Sequence, residues 1–264
     1  MDDSPQLHES IRVNPDPRMS ATALAEYLIL KAEPQATVLH NSRYSQTNIR
    51  GAYASARNGF RRYNVDPLRP IGTLNKVKDA LTRKSVDPDV KPRAQAAALR
   101  EIELIDLYLT RENALGLRGL PLTKAPRFEP LRIEGVEVSI QPDFLIEPPD
   151  GRIGAAMLRV TKAPDPDAVR GADKKEERGA HRREMARYMV AMMEMALNEQ
   201  TDYRGHVDRG LIFVSDVRLG ERIAAGADHT ARLGDISSAC SQIARLWDGV
   251  KPRPSIFKKP DDED

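Results

Sequence analysis

Apolar positions recur at steps of three and four in segments between residues 21 and 113. Only later do they alternate or gather into short runs, so the chain reads as helices first and strands afterwards. Leu24, Tyr27, Leu28 and Lys31 fall at helical spacing behind Ser20, whose hydroxyl suits an N-cap, and predict a helix over Ala21–Lys31 that Pro34 closes. Ile49, Tyr53, Ala56, Phe60 and Tyr63 mark one face of a second helix, Gln46–Tyr63. Thr73–Lys84 is a third. Ala94–Asn113, rich in Ala, Leu and Glu, stacks Ala98, Ile102, Ile105 and Leu109 on one side. Prolines and aspartates make Ser85–Arg93 a loop, and three prolines make Arg118–Pro130 a connector.

The pattern then changes. Glu137–Ile146 alternates loosely through Val138, Ile140, Phe144 and Ile146. Pro148-Pro149-Asp150-Gly151 is a turn signal, and Ile153–Val160 is a second apolar run, so the three together predict a β-hairpin. Ala163–Ala180 reads as a loop or helix entry before a helix over Glu184–Glu199. Gly210–Ser215 is a short buried strand, and Ile236–Trp247 is a last helix. This order predicts an α/β or α+β class with a central mixed sheet flanked by helices. The expected organisation is a loose arm over 1–18, a basic helical part over 19–93, an α/β core over 94–250 and a tail over 251–264.

The 264 residues are 40% hydrophobic and 30% charged, a globular rather than disordered balance. A single cysteine, Cys240, excludes an internal disulfide framework and a multi-cysteine zinc site. Residues 1–18 carry no apolar leader core. The most apolar long stretch, Tyr188–Leu197, is interrupted by Glu194 and falls short of the roughly 20 residues a membrane span needs, so the expectation is a cytoplasmic protein with no membrane partner.

Lys and Arg total 41 against 39 Asp and Glu, which nearly cancel, but their distribution is uneven. Residues 41–100 hold 13 Lys and Arg against four acids, a local net charge of +9. Arg50, Arg57 and Arg61 share one flank of the Gln46–Tyr63 helix, roughly 100° from Ile49. Such a stripe either follows a DNA phosphate backbone or is a solvated helix flank.

Gln141-Pro142-Asp143-Phe144 lies in the first hairpin strand, and Lys162 ends the second. Glu184 and Tyr188 stand four apart on the helix that follows. This order resembles the PD-(D/E)xK nuclease superfamily, particularly its RecB-like branch. That pattern runs from a Pro-Asp strand through a turn to a strand ending in acid-x-Lys, then a helix with Gln-x-x-x-Tyr and a further strand. Met19-Ser20-Ala21-Thr22-Ala23-Leu24-Ala25-Glu26-Tyr27-Leu28 is similar to the Ser-x-Ser-x-Leu-x-x-Tyr opening of the same branch. The resemblance covers roughly residues 19–250 and implies a restriction-endonuclease-like fold. It also implies a hydrolase acting on DNA with Mg²⁺ or Mn²⁺. Asp143 would be the first metal carboxylate, Lys162 would orient the attacking water, and Glu184 and Tyr188 would occupy the helix motif.

Val160 stands where the second strand acid belongs. Glu101 or Glu103, on the preceding helix, would have to replace it as a metal ligand. Otherwise the fold keeps only nucleic-acid or protein contacts. Met185, Met189, Met192, Met193 and Met195, five of eight methionines, sit on the 184–199 helix, as core or as a surface for a second copy or another protein. Three functions stay open: a metal-dependent nuclease, an inactive nucleic-acid-binding relative, and a protein-interaction module on the same fold.

Overall fold

The computed structural model describes residues 7–47 and 53–257. Along them run β1 (Ile11–Val13), β2 (Arg18–Ser20), α1 (Ala21–Ile29), α2 (Ala32–Arg43), β3 (Tyr44–Gln46), α3 (Ala54–Val65), α4 (Gly72–Val86) and α5 (Pro92–Arg111). There follow β4 (Leu122–Lys124), β5 (Leu131–Ile133), β6 (Val136–Ser139), β7 (Phe144–Ile146), β8 (Ile153–Arg159), α6 (Ala172–Glu199), β9 (Val207–Asp216), β10 (Glu221–Ala224) and α7 (His229–Leu246).

Local chemistry accounts for several boundaries. Ser20 caps α1, its hydroxyl accepting from the Ala23 N–H at 3.1 Å. Pro34 does not end a helix. It lies in the first turn of α2, where its missing N–H leaves no helical bond broken. Pro142 divides the run expected as one strand, because a proline cannot donate to a ladder. Val136–Ser139 joins a three-stranded sheet in the order β2-β6-β5, while Phe144–Ile146 joins the main sheet. The predicted hairpin is β7–β8: Phe144 faces Ala156, and Gly151 takes the positive φ of 80° in the turn.

The fold is α/β. Its main sheet is mixed and five-stranded, in the order β4-β7-β8-β9-β10. The β8–β9 pair is parallel and is bridged by α6, as parallel neighbours require a crossover; the other three pairs are antiparallel. At Gly154 the two strands crowd together. An added Cβ would meet the Leu211 Cβ at 2.3 Å, and the ladder shifts register there.

Both faces of the sheet are covered, which is why β8 reads as a continuous apolar run. Leu145, Ala155, Met157, Ile212 and Val214 pack with the buried residues of α1, α6 and α7. On the other face, Phe144, Ala156, Leu158, Val160 and Phe213 pack with α3–α5 through Phe60, Leu74, Leu104, Ile105 and Tyr108. Met185, Met189, Met192 and Met193 are buried in the chain's own core, with Met195 packed beside them, so the methionine-rich face of α6 is not free for a partner.

Other expectations change in detail. Within the supposed arm, residues 11–13 form β1, paired to β3, and Arg18 at its end opens β2, paired to β6. Gln46 closes β3 rather than starting a helix, and α3 begins only after Tyr53. Ile49 and Arg50 lie outside the described residues. On α5 the buried face is Ala98, Leu104, Ile105 and Tyr108; Ile102 and Leu109 are half-buried. No helix among the described residues is long and apolar enough to cross a membrane.

Candidate functional site

Asp143 sits at the entrance to β7, immediately after Pro142. Its backbone N–H donates to Ala156 at 2.9 Å, continuing the β7–β8 pairing. Its carboxylate is 0% exposed and accepts four hydrogen bonds. Oδ1 accepts from Arg57 Nε at 2.8 Å and from Arg61 Nε at 2.6 Å. Oδ2 accepts from Arg57 Nη2 at 2.8 Å and from the Leu158 backbone N–H at 2.7 Å. Four donors fill the lone-pair sites of a carboxylate.

The two arginines are one turn apart on α3, so their side chains project in the same direction. They are 31% and 29% exposed. The expected open stripe is therefore folded onto a buried acid, because a desolvated carboxylate is stable only when paired. Burial works against the Arg57 charge, but the Asp143 hydrogen bond and its negative charge outweigh it and hold the guanidinium above its ordinary pKa.

The other expected site residues lie apart from this pair. Val160 is 3% exposed, within the apolar layer under α3–α5. Lys162 lies past the end of β8, is 47% exposed, and pairs with Asp165 at 3.7 Å. Glu101 accepts from the Ala56 N–H at 2.8 Å, so it caps the first turn of α3, which Tyr53 does not cap. Glu103 is exposed and pairs with Arg218 at 2.8 Å. Glu184 pairs with Arg232 of α7 at 2.5 Å. Tyr188 donates to Asp235 at 2.9 Å and stacks under the Arg232 guanidinium at 4.6 Å. Burial, then Asp235, pushes the Tyr188 hydroxyl up to about 12. Glu184 and Tyr188 thus join α6 to α7.

Magnesium takes hard oxygen ligands with free lone pairs. Asp143 has none to spare, and Glu101, Glu103 and Asp143 are each held by different partners. Among the described residues, no group of three or more His, Cys, Asp and Glu side chains is placed to hold a metal ion. As folded, these residues do not fit Mg²⁺ or Mn²⁺.

What surrounds Asp143 is cationic. A cavity of about 350 Å³ is lined by Arg61, Lys124, Arg127, Gln141 and Asp143. Lys124 and Arg127 are exposed and have no ion-pair partner among the described residues. The stretch expected as a connector, Arg118–Pro130, contains β4: Lys124 ends that strand and Arg127 lies beyond it. Gln141 holds that connector in place: its amide nitrogen donates to the Pro126 carbonyl at 2.6 Å, and its amide oxygen accepts from the Phe128 N–H at 3.2 Å. A second basic surface follows the α3–α4 groove, where Arg62, Lys76 and Lys84 are exposed.

Compared with known proteins, the chain matches no family model and no curated protein.

Proposed function

We propose that this chain is a restriction-endonuclease-like protein that grips the DNA phosphate backbone without cutting it. The observation that carries this reading is the Asp143 carboxylate closed between Arg57 and Arg61. In a metal-dependent nuclease, carboxylates bring a cation to the phosphate and the cation lowers the pKa of a bound water. Here two guanidiniums stand beside the carboxylate, and the local sum is one positive charge. Guanidiniums neutralise and position a phosphate, but they remain protonated and generate no hydroxide.

The succession of β7, turn, β8, α6 and β9 supports the PD-(D/E)xK-like reading, since it is the strand, turn, strand, helix, strand order that the motif resemblance implies. Lys124 and Arg127 beside Asp143, and Arg62, Lys76 and Lys84 along the α3–α4 groove, supply positive charge to a backbone.

Fluorescence anisotropy with a labelled duplex, over a salt series and with Mg²⁺ or Mn²⁺ added, tests the proposal. The expected result is binding that weakens linearly in log salt, with intact DNA recovered afterwards. Metal-dependent cleavage that Asp143→Ala removes overturns the non-cutting reading in favour of the nuclease. Absence of binding at low salt overturns the nucleic-acid reading in favour of a protein-interaction module.

A further inference from the structure

Beside the Asp143 cleft lies a larger cavity of about 520 Å³, within the roughly 300–1,000 Å³ range of small-ligand sites. Four arginines line it, Arg18, Arg57, Arg127 and Arg159, and no Asp or Glu does. Arg18 is paired with Glu137 and Arg57 with Asp143, so part of this charge is balanced from outside the cavity wall.

Arg159 is the most buried of the four. It is 4% exposed, and its Nε is buried without a hydrogen-bond partner. The nearest acid, Asp216, is held by Arg182 at 2.7 and 2.8 Å and stands 3.7 Å from Arg159. The remaining Arg159 donors reach the Arg182 carbonyl at 2.7 Å and the Met185 sulfur at 3.1 Å, neither of which carries a charge. Burial and the neighbouring Arg182 charge pull the guanidinium down to about 10, with Asp216 and Glu26 opposing them.

The N-terminus of α1 lines the same cavity through Ser20, Ala21 and Thr22. First-turn N–H groups have no partner inside their own helix and carry the positive end of its dipole. The Ala23 N–H is taken by the Ser20 hydroxyl, and the parallel β2–β6 register directs the Ala21 N–H to Ser139, which leaves Thr22 in the first turn. A buried arginine and a helix N-terminus therefore line one cavity whose walls include no Asp or Glu. Phe128 and Met157 give the cavity an apolar wall, suited to the carbon portion of an ester.

We propose that this cavity binds a phosphate monoester dianion, held by Arg159, Arg127 and the Thr22 N–H in the first turn of α1. The phosphoryl group could belong to a nucleic-acid end or to a small free ester. The inference goes beyond backbone binding and does not depend on it.

Titration calorimetry of the full chain with inorganic phosphate tests the site. One saturable site is expected. Arg159→Met should weaken it at least tenfold. Thr22→Pro, which removes one helix N–H at a position where proline is tolerated, should weaken it severalfold. If Arg159→Met does not fold, Arg127→Gln on the exposed connector serves in its place, with the same expected loss. No saturable phosphate binding by the parent overturns the proposal, as does unchanged affinity in a folded Arg159→Met or Arg127→Gln protein.

Oligonucleotides with and without a 5′-phosphate then identify the source. A tighter phosphorylated end, displaced by inorganic phosphate, assigns the cavity to a nucleic-acid terminus. Equal affinity for both ends, with inorganic phosphate still bound, assigns it to a small ester. DNA binding with no phosphate site removes this inference and leaves backbone binding standing, and the converse result does the reverse.

Discussion

Two aspartates stand at the ends of the strands that flank β8, Asp143 before β7 and Asp216 at the end of β9. Each is fully buried and faces two arginines. The charge count is the same and the settings are opposite. Arg182 is 0% exposed; it grips Asp216 with Nε and Nη2 and sends Nη1 to the carbonyls of Thr161, Lys162 and Pro164. Asp216 also accepts the Arg218 and Leu219 N–H groups, so this pair fixes the chain leaving both β8 and β9. At Asp143 both arginines come from one helix and keep nearly a third of their surface in solvent. The first arrangement is part of the core. The second closes a cleft at the surface.

The largest effect should come from the buried pair. Asp216→Ala strands Arg182 and is expected to lower unfolding stability by roughly 3–5 kcal/mol in urea denaturation. A loss below about 1 kcal/mol would erase the contrast, since that is what an exposed pair contributes.

Val160→Glu comes next. It sets a carboxylate into the apolar layer beneath α3–α5 and should cost about 2–4 kcal/mol. Mg²⁺ should not restore the melting temperature. Restoration by Mg²⁺ would mean that the acid has completed a metal site.

Asp143→Asn should cost less, about 1–3 kcal/mol, because the amide oxygen can still accept from Leu158 and water can solvate the freed arginines. DNA affinity at low salt should rise severalfold as the two guanidiniums gain a free side. A fall in affinity would show that Asp143 holds them in the binding geometry.

Lys124→Ala should change stability by no more than about 0.5 kcal/mol and make the log–log salt slope for duplex binding shallower by about 0.9, the contribution of one phosphate contact. An unchanged slope would place the backbone elsewhere, with the α3–α4 groove next to be tested.

The sequence discloses the parts of this architecture that are written locally. The β7–β8 turn is legible in Pro148–Gly151, and the α1 cap in Ser20. Pro142 is equally visible, but its consequence is not: one run of alternating residues divides between two sheets. The first third of α6 escapes periodicity because Asp173–Arg178 is charged at every position, and tertiary contacts such as Arg182 to Asp216 and Arg183 to Glu221 hold that end of the helix.

The candidate site is the least legible region. Helical spacing puts Arg57 and Arg61 on one flank of α3, yet nothing local reveals that a carboxylate 86 and 82 residues away closes on them. Glu184 and Tyr188 have the spacing of a motif, but that spacing also suits two residues facing a neighbouring helix, and α7 takes both. Arg159 and Arg127 carry no sequence signal, because cavity walls are assembled from segments distant in the chain.

Gln141 has a consequence for how tightly this surface can hold anything. Its amide pairs with Pro126 and Phe128 as a peptide group of an adjacent strand would, so the turn bearing Arg127 is fastened without a strand. A connector set in place during folding meets its ligand with its freedom already removed, whereas a slack one loses roughly 0.5–1.5 kcal/mol for each side chain it must still immobilise. The effect of such a fastening appears as a slower departure of whatever is bound and not as an added contact. On the proposed function, one neutral side chain would set the residence time at a surface whose attraction comes from its charged neighbours.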